Sequence, residues 1–224
     1  RVISRAALQN IPKVELHRHL ECSMRFSTFL ELAQQQGIEI PVDLTQAKEE
    51  FLVTTPMKDL GSVLKKFLLV QKVIGSPQAL TRITYEIIED SVKEGIRILE
   101  LRYAPTFITE AHPHLDFETV HQAILKGLKQ ASHLAIAVGF IATIQRIKPV
   151  SEAQKVLDFV LSHRDSFVGI DLADNEDGFE PEIFKAVFAR AQSENIPITV
   201  HAGEALIPRA AENVRSSIEQ LGAQ

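Results

Sequence analysis

His17 and His19, in the stretch Val14-Glu15-Leu16-His17-Arg18-His19-Leu20-Glu21, are the first side chains along the chain with metal chemistry to offer. Val14, Leu16 and the two histidines suggest a short buried strand. Residues two apart on a strand project to the same face, so the two imidazoles should point together. Neutral imidazole is the commonest side-chain ligand for zinc, and a pair needs a third nitrogen or carboxylate to hold the ion. Taken alone, the pair is more simply read as strand histidines that are exposed or hydrogen-bonded. Near the far end, however, Ile198-Thr199-Val200-His201-Ala202-Gly203-Glu204 repeats the pattern: a β-branched run delivers a histidine, then glycine and a carboxylate. If the strands are parallel, His17, His19 and His201 emerge at one rim. Catalytic metal sites use about three protein ligands and leave a position open for water. Glu204, in the loop beyond the third histidine, is better placed to move protons than to bind the ion.

The elements that must hold these residues can be read in order. After the first strand comes a long helical insertion, over 24–95. Within it Leu60, Val63, Leu64, Phe67 and Leu68 fall at helical spacing with Lys65 and Lys66 on the other side, closed by Gly75. The plain reading of that apolar face is core packing. Ser76 and Pro77 form an N-cap and N1 pair for the next helix, with Leu80, Ile83, Ile87, Ser91 and Val92 on one face and Gly95 as its stop. The remainder alternates. Strands are expected over 97–103, 135–144, 167–172 and 197–201, the second of these buried on both faces. Helices are expected over 116–130, after a capping box of Ser151 with Gln154, and from Pro181 with Ile183, Phe184, Val187, Phe188 and Ala191 on one face. Strand and helix in alternation imply a parallel sheet with right-handed crossovers.

Composition narrows the class of partner. In 224 residues, 45% hydrophobic and 24% charged, the formal net charge is −5 with acids and bases interspersed. Such a chain can bury a large core as one domain over 1–224. It has no basic block to bind nucleic acid or an anionic membrane, and no stretch of transmembrane length. A small molecule is the expected partner. One cysteine, Cys22, excludes an intrachain disulfide framework and suits a reducing, cytoplasmic compartment. It also lacks the thiol partners of the cysteine-rich zinc deaminases of nucleobases. His112-Pro113-His114 is a second His-x-His, but its proline and polar neighbours place it in a loop without a ligand role. Neither a Gly-rich phosphate loop nor a nucleophile elbow is present.

Four motifs together resemble one family. Pro12-Lys13-Val14-Glu15-Leu16-His17-Arg18-His19-Leu20-Glu21, Leu101-Arg102-Tyr103-Ala104-Pro105, Asp171-Leu172-Ala173 and His201-Ala202-Gly203-Glu204 are similar, in order, to those of the adenosine deaminase family of metal-dependent aminohydrolases. The resemblance implies a TIM-type (β/α)8 barrel, of which this chain carries about the first five β/α units with a helical insertion after strand one. It implies one zinc ion per chain on His17, His19 and His201, and hydrolytic deamination of adenosine, or a close 6-aminopurine, to inosine and ammonia. Glu204 would then protonate N1 as water attacks C6. Glu21 matches a position that contacts the ribose, Leu60, Val63, Leu64 and Phe67 match an apolar lid over the purine, and Asp171 belongs behind the ligands. Two family glycines are replaced, by Cys22 and by Asp174. Asp174 keeps the backbone N–H that the family aims at purine N3 while adding a carboxylate beside the base.

The resemblance also implies a sixth strand with a histidine and an eighth with paired aspartates, and neither motif occurs by Gln224. An open sheet with bare edges would be aggregation-prone, and the chain opens at Arg1. The expectation is therefore the N-terminal portion of a longer enzyme. Two other readings stand beside it. One is a different metal hydrolase on the same barrel, against which His-Ala-Gly-Glu and the helical lid argue; the other is a catalytically incomplete metal-binding or interaction protein. Sequence alone does not set the oligomeric state.

Overall fold

The computed structural model of the protein describes residues 4–41 and 43–223. Five parallel strands, β1 (Lys13–His19), β2 (Ile96–Tyr103), β3 (Ala137–Gln145), β4 (Phe167–Ala173) and β5 (Ile198–Val200), lie side by side in sequence order. A flat sheet would hold its outer strands about 19 Å apart, four strand spacings. Instead the β1 and β5 ends meet: Nε2 of His17 lies 2.8 Å from Nε2 of His201. The sheet is therefore curled into a half-barrel, the first five units of the (β/α)8 plan, and its concave face gathers what the strand ends carry.

Helices alternate with the strands. A short α1 (Arg5–Asn10) precedes β1, and α2 (Phe26–Gln35), α3 (Leu44–Phe51), α4 (Leu60–Gln71) and α5 (Pro77–Lys93) fill the gap before β2. Next come α6 (Pro105–Ala111) and α7 (Phe117–Gln130) before β3, then α8 (Val150–Ser162), α9 (Lys185–Ser193) and α10 (Ala210–Glu219). The core lies between sheet and helices, where Leu99, Leu101, Phe140, Ile144, Ile170 and Leu172 meet Leu80, Ile83, Ile87, Ile124, Val156 and Phe188. As the sequence predicts, the Ser76 hydroxyl accepts from the Ala79 N–H at 3.1 Å with Pro77 at the first helical position, and Gly95 turns the chain at φ +85°. None of the described helices is long and apolar enough to cross a membrane.

Several expectations are corrected. β1 is an edge strand, so Val14 and Leu16 are more than half exposed rather than buried. The first three residues of β3 are likewise open on one side. Ser151 with Gln154 makes no capping box: α8 starts earlier, Pro149 takes the cap position with the extended backbone its ring favours, and no side chain caps the helix. Pro181–Phe184 is a 3-10 turn before α9, and its three-residue period throws Ile183 out of phase with the buried face and into solvent. Nor does Gly75 close α4, which ends at Gln71; Gly75 lies instead against the His112 ring, where a Cβ would come within 2.4 Å.

Candidate metal centre

The centre is built from the C-terminal ends of β1 and β5, with β2 and β4 behind. β1 pairs irregularly with β2 between Glu15 and Arg18, which surrounds His17 and re-aims it. His19 is the last residue of β1, and His201 follows β5 directly, its N–H donating to Leu172 O at 2.8 Å. The three Nε2 atoms converge. His17 and His19 stand 2.8 and 3.1 Å from His201, and ligand atoms of all three lie within 4.8 Å of one another.

His201 Nε2 has a single lone pair in its neutral ring and so can accept from only one of its two neighbours, which leaves the cluster short of a proton or cation. Burial, with the charges of Arg102 and His201 adding, lowers the pKa of His17; burial and then the His201 charge push His19 down to about 3. Both rings are therefore neutral near pH 7, the form a metal binds. On His201, Nδ1 lies 2.9 Å from Oδ2 of Asp171, and the charge of that carboxylate, without an aligned hydrogen bond, favours the proton on Nδ1 and the lone pair on Nε2. A tetrahedral zinc with nitrogens about 2.0–2.1 Å away separates them by about 3.4 Å, so small ring movements accommodate the ion. Among the described residues these histidines form the one such cluster, and they fit a metal.

Behind His201, Asp171 is fully buried. Its own burial would raise its pKa, but His201 and Arg102 outweigh that and hold the carboxyl below the usual range. Arg102 Nη1 is 3.0 Å from Asp171 Oδ2 and 3.4 Å from Thr199 Oγ1, and Nη2 donates to Leu16 O at 2.6 Å. One guanidinium on β2 thus ties together β1, β4 and β5. Arg146, also fully buried, donates to His201 O and faces Glu176 at 3.7 Å. Glu176 accepts from the Gly203 and Ala205 N–H groups at 3.1 and 2.7 Å. Spacing singled out neither Arg146 nor Glu176. The available signal was a charge directly after an otherwise apolar strand and a second acid five residues beyond Asp171.

A cavity of about 350 Å³ opens beside the cluster, within the range of small-molecule sites. His19, His201, Glu204, Glu21, Asp174, Leu60, Leu64 and Phe67 all line it, so it gathers eight of the predicted site residues. Asp171 stands behind its wall, and His17 completes the metal cluster. α4 presents Leu60, Val63, Leu64 and Phe67 to this cavity, while Val70 is buried in the core and Phe67 and Leu69 pack against it, so the helix serves core and cavity together. The cap is Asp59, which accepts from Ser62 N–H at 2.8 Å. Glu21 is buried at the cavity wall, where it accepts from Ala104 N–H at 2.7 Å. Desolvation raises its pKa to about 7, against the pull of that N–H.

Asp174 takes φ +87°, a left-handed conformation natural to glycine. Its carboxylate accepts from Gln145 Nε2 at 2.9 Å and from the Asn175 N–H at 2.7 Å. Cys22 is exposed and outside the cavity lining. The second His-x-His is no ligand pair: His112 and His114 reach the carbonyls of Gln71 and Gly75 at 2.7 and 2.8 Å, at the end of α4.

A family profile described as "Adenosine deaminase" matches residues 12–224. An adenosine deaminase of Yersinia enterocolitica is 33% identical over 216 residues, 96% of this chain and 64% of the relative. This chain thus spans just under two thirds of such a relative's length. Among solved structures, an amidohydrolase of Burkholderia ambifaria with bound zinc superposes with a TM-score of 0.86 at 26% identity, covering 100% of this chain and 61% of that one. The N6-mAMP deaminase of Arabidopsis gives 0.79 at 30% identity, covering 92% and 63%.

Proposed function

We propose, for a chain that belongs to the adenosine deaminase family, that its site performs zinc-dependent hydrolytic deamination of adenosine or a close 6-aminopurine, giving the 6-oxopurine and ammonia. The observation that carries the reading is the opening of His19, His201 and Glu204 into one apolar-walled cavity, with His17 completing the cluster. His17, His19 and His201 would hold one zinc ion, which when bound supplies a Lewis acid that brings the acidity of water toward neutrality.

The chain's own residues do the rest. Attack at C6 makes that carbon tetrahedral and drives the C6–N1 π pair onto N1, which must gain a proton, and Glu204 is the donor. Asp171 keeps the His201 lone pair turned inward. Leu60, Leu64 and Phe67 cover the base and exclude water, while Glu21 and Asp174 offer acceptors to hydroxyl or amino donors on the substrate. Four carboxyl groups, those of Glu21, Glu110, Asp174 and Glu204, line the cavity against one ammonium, that of Lys65. With Glu204 carrying the proton it donates and Glu21 raised to about 7, the carboxylates of Glu110 and Asp174 still outnumber the Lys65 ammonium, which favours an uncharged nucleoside or base over a nucleotide.

The test follows the ultraviolet change as adenosine becomes inosine, with adenine and N6-methyl-AMP in parallel and a chelator-treated control. Turnover of adenosine that the chelator abolishes is the expected result. Glu204→Gln should lower kcat by about 10²–10⁴-fold with zinc retained. Turnover of the nucleotide alone overturns the substrate reading, and full activity after complete zinc removal overturns the metal reading.

A further inference from the structure

The side chain of Glu204 is exposed and makes no hydrogen bond or ion pair among the described residues, so its placement depends on its own backbone. On both sides of Glu204 that backbone donates to one group. Glu176, only 2% exposed, accepts from Ala205 N–H through Oε1 at 2.7 Å and from Gly203 N–H through Oε2 at 3.1 Å. The two amides on either side of Glu204 therefore close on a single carboxylate. Asn213, from α10, adds its Nδ2 to Oε2 at 3.3 Å.

Gly203 takes φ +75° in this loop, and a Cβ there would meet Val214 at 2.8 Å, so the turn is fixed on its other side too. Behind Glu176, Arg146 is buried with Nε and Nη1 lacking hydrogen-bond partners. Its Nη1 stands 3.7 Å from Glu176 Oε2 while its Nη2 bonds to the His201 carbonyl. A buried carboxylate is costly unless charge and N–H groups surround it; here Arg146 supplies the charge, and the backbone N–H groups come from the loop that carries His201 and Glu204.

We propose that Glu176 is the positioning residue of the proton donor: by clamping the Gly203 and Ala205 amides it holds the Glu204 carboxyl at a fixed reach from the three-histidine cluster. The proposal rests on the reading of Glu204 as the donor. Glu176 belongs neither to the cavity lining nor to the histidine cluster.

The test compares the isolated protein with Glu176→Gln, Glu204→Gln and the double variant, measuring kcat, KM, zinc per chain and hydrogen exchange at the two amides. Glutamine keeps one acceptor oxygen and turns an NH₂ toward the other amide, so one N–H loses its partner. The expected result for E176Q is a fall in kcat of about 10- to 100-fold, with KM within about twofold and zinc retained. Exchange at Gly203 or Ala205 should rise by about tenfold or more. In the E204Q background, E176Q should lower kcat further by less than about twofold, because the two residues act through one carboxyl.

A fully multiplicative loss in the double variant, or unchanged kcat with accelerated exchange, overturns the proposal. If E176Q folds poorly, Glu176→Asp keeps the charge for Arg146 but is too short to span both amides, and the same outcomes apply to it. If the unaltered protein turns over no 6-aminopurine, the proposed function fails, and the exchange measurement decides the clamp alone: unchanged protection in both variants overturns it.

Discussion

At the scale of single residues, the site depends on fixing which ring nitrogen carries a proton. His201 can offer Nε2 inward only while Nδ1 is protonated, and the carboxylate of Asp171 at 2.9 Å is the charge that favours that proton. Asp171→Asn keeps the size of the side chain but loses the charge that orients the ring. It should weaken zinc binding by about 10- to 100-fold, measured by competition with a chromogenic chelator. An unchanged affinity would mean that the ring is oriented by packing alone. The clustered histidines were legible in the sequence because a metal site needs imidazoles on strand ends of one rim, and His17, His19 and His201 announce themselves by type and spacing. Arg146 and Glu176 were not, because a buried ion pair between distant segments leaves no periodic trace.

At the scale of elements, the turns that deliver the strands are the sensitive points. Gly95 joins α5 to β2 at φ +85°, and a Cβ there would come within 2.2 Å of Gln9 O. Gly95→Ala should therefore cost more than about 1 kcal/mol in urea unfolding. Ser76→Ala, which removes the α5 cap, should cost about 1 kcal/mol. Losses in the reverse order would contradict this picture of the α5–β2 unit. The strands and the longer helices were readable because a parallel sheet demands short apolar runs and its helices an apolar stripe. The failures have physical causes. An apolar helix face such as that of α4 looks the same whether it meets a core or a cavity, and the 3-10 turn before α9 changes period within four residues.

At the scale of the whole molecule, the fold carries a pH dependence away from the site. His121 is fully buried, 2.8 Å from the Tyr103 hydroxyl and 2.7 Å from that of Ser166, and stacked on Phe167. Burial, and then the charge of His163, lowers its pKa to about 4, with Glu118 opposing. The neutral ring is the folded form, so its contribution is fully present above the unfolded value near 6.5 and is lost as pH falls toward 4. About 2 kcal/mol should be gone by pH 5. His121→Phe should remove that part of the slope between urea-unfolding curves at pH 7 and pH 5, whatever it does to stability at pH 7. An undiminished slope would mean that the ring titrates normally in the fold.

The sheet curl is the other property of the whole, since it alone brings the β1 and β5 histidines together. The most direct test of the account is the zinc content of the purified protein, set against a variant in which His17, His19 and His201 are all alanine. One zinc per polypeptide, absent from the triple variant while its far-ultraviolet circular dichroism is unchanged, is the result expected. Zinc retained by a folded triple variant, or none bound by the unaltered protein at micromolar free zinc, would contradict the account.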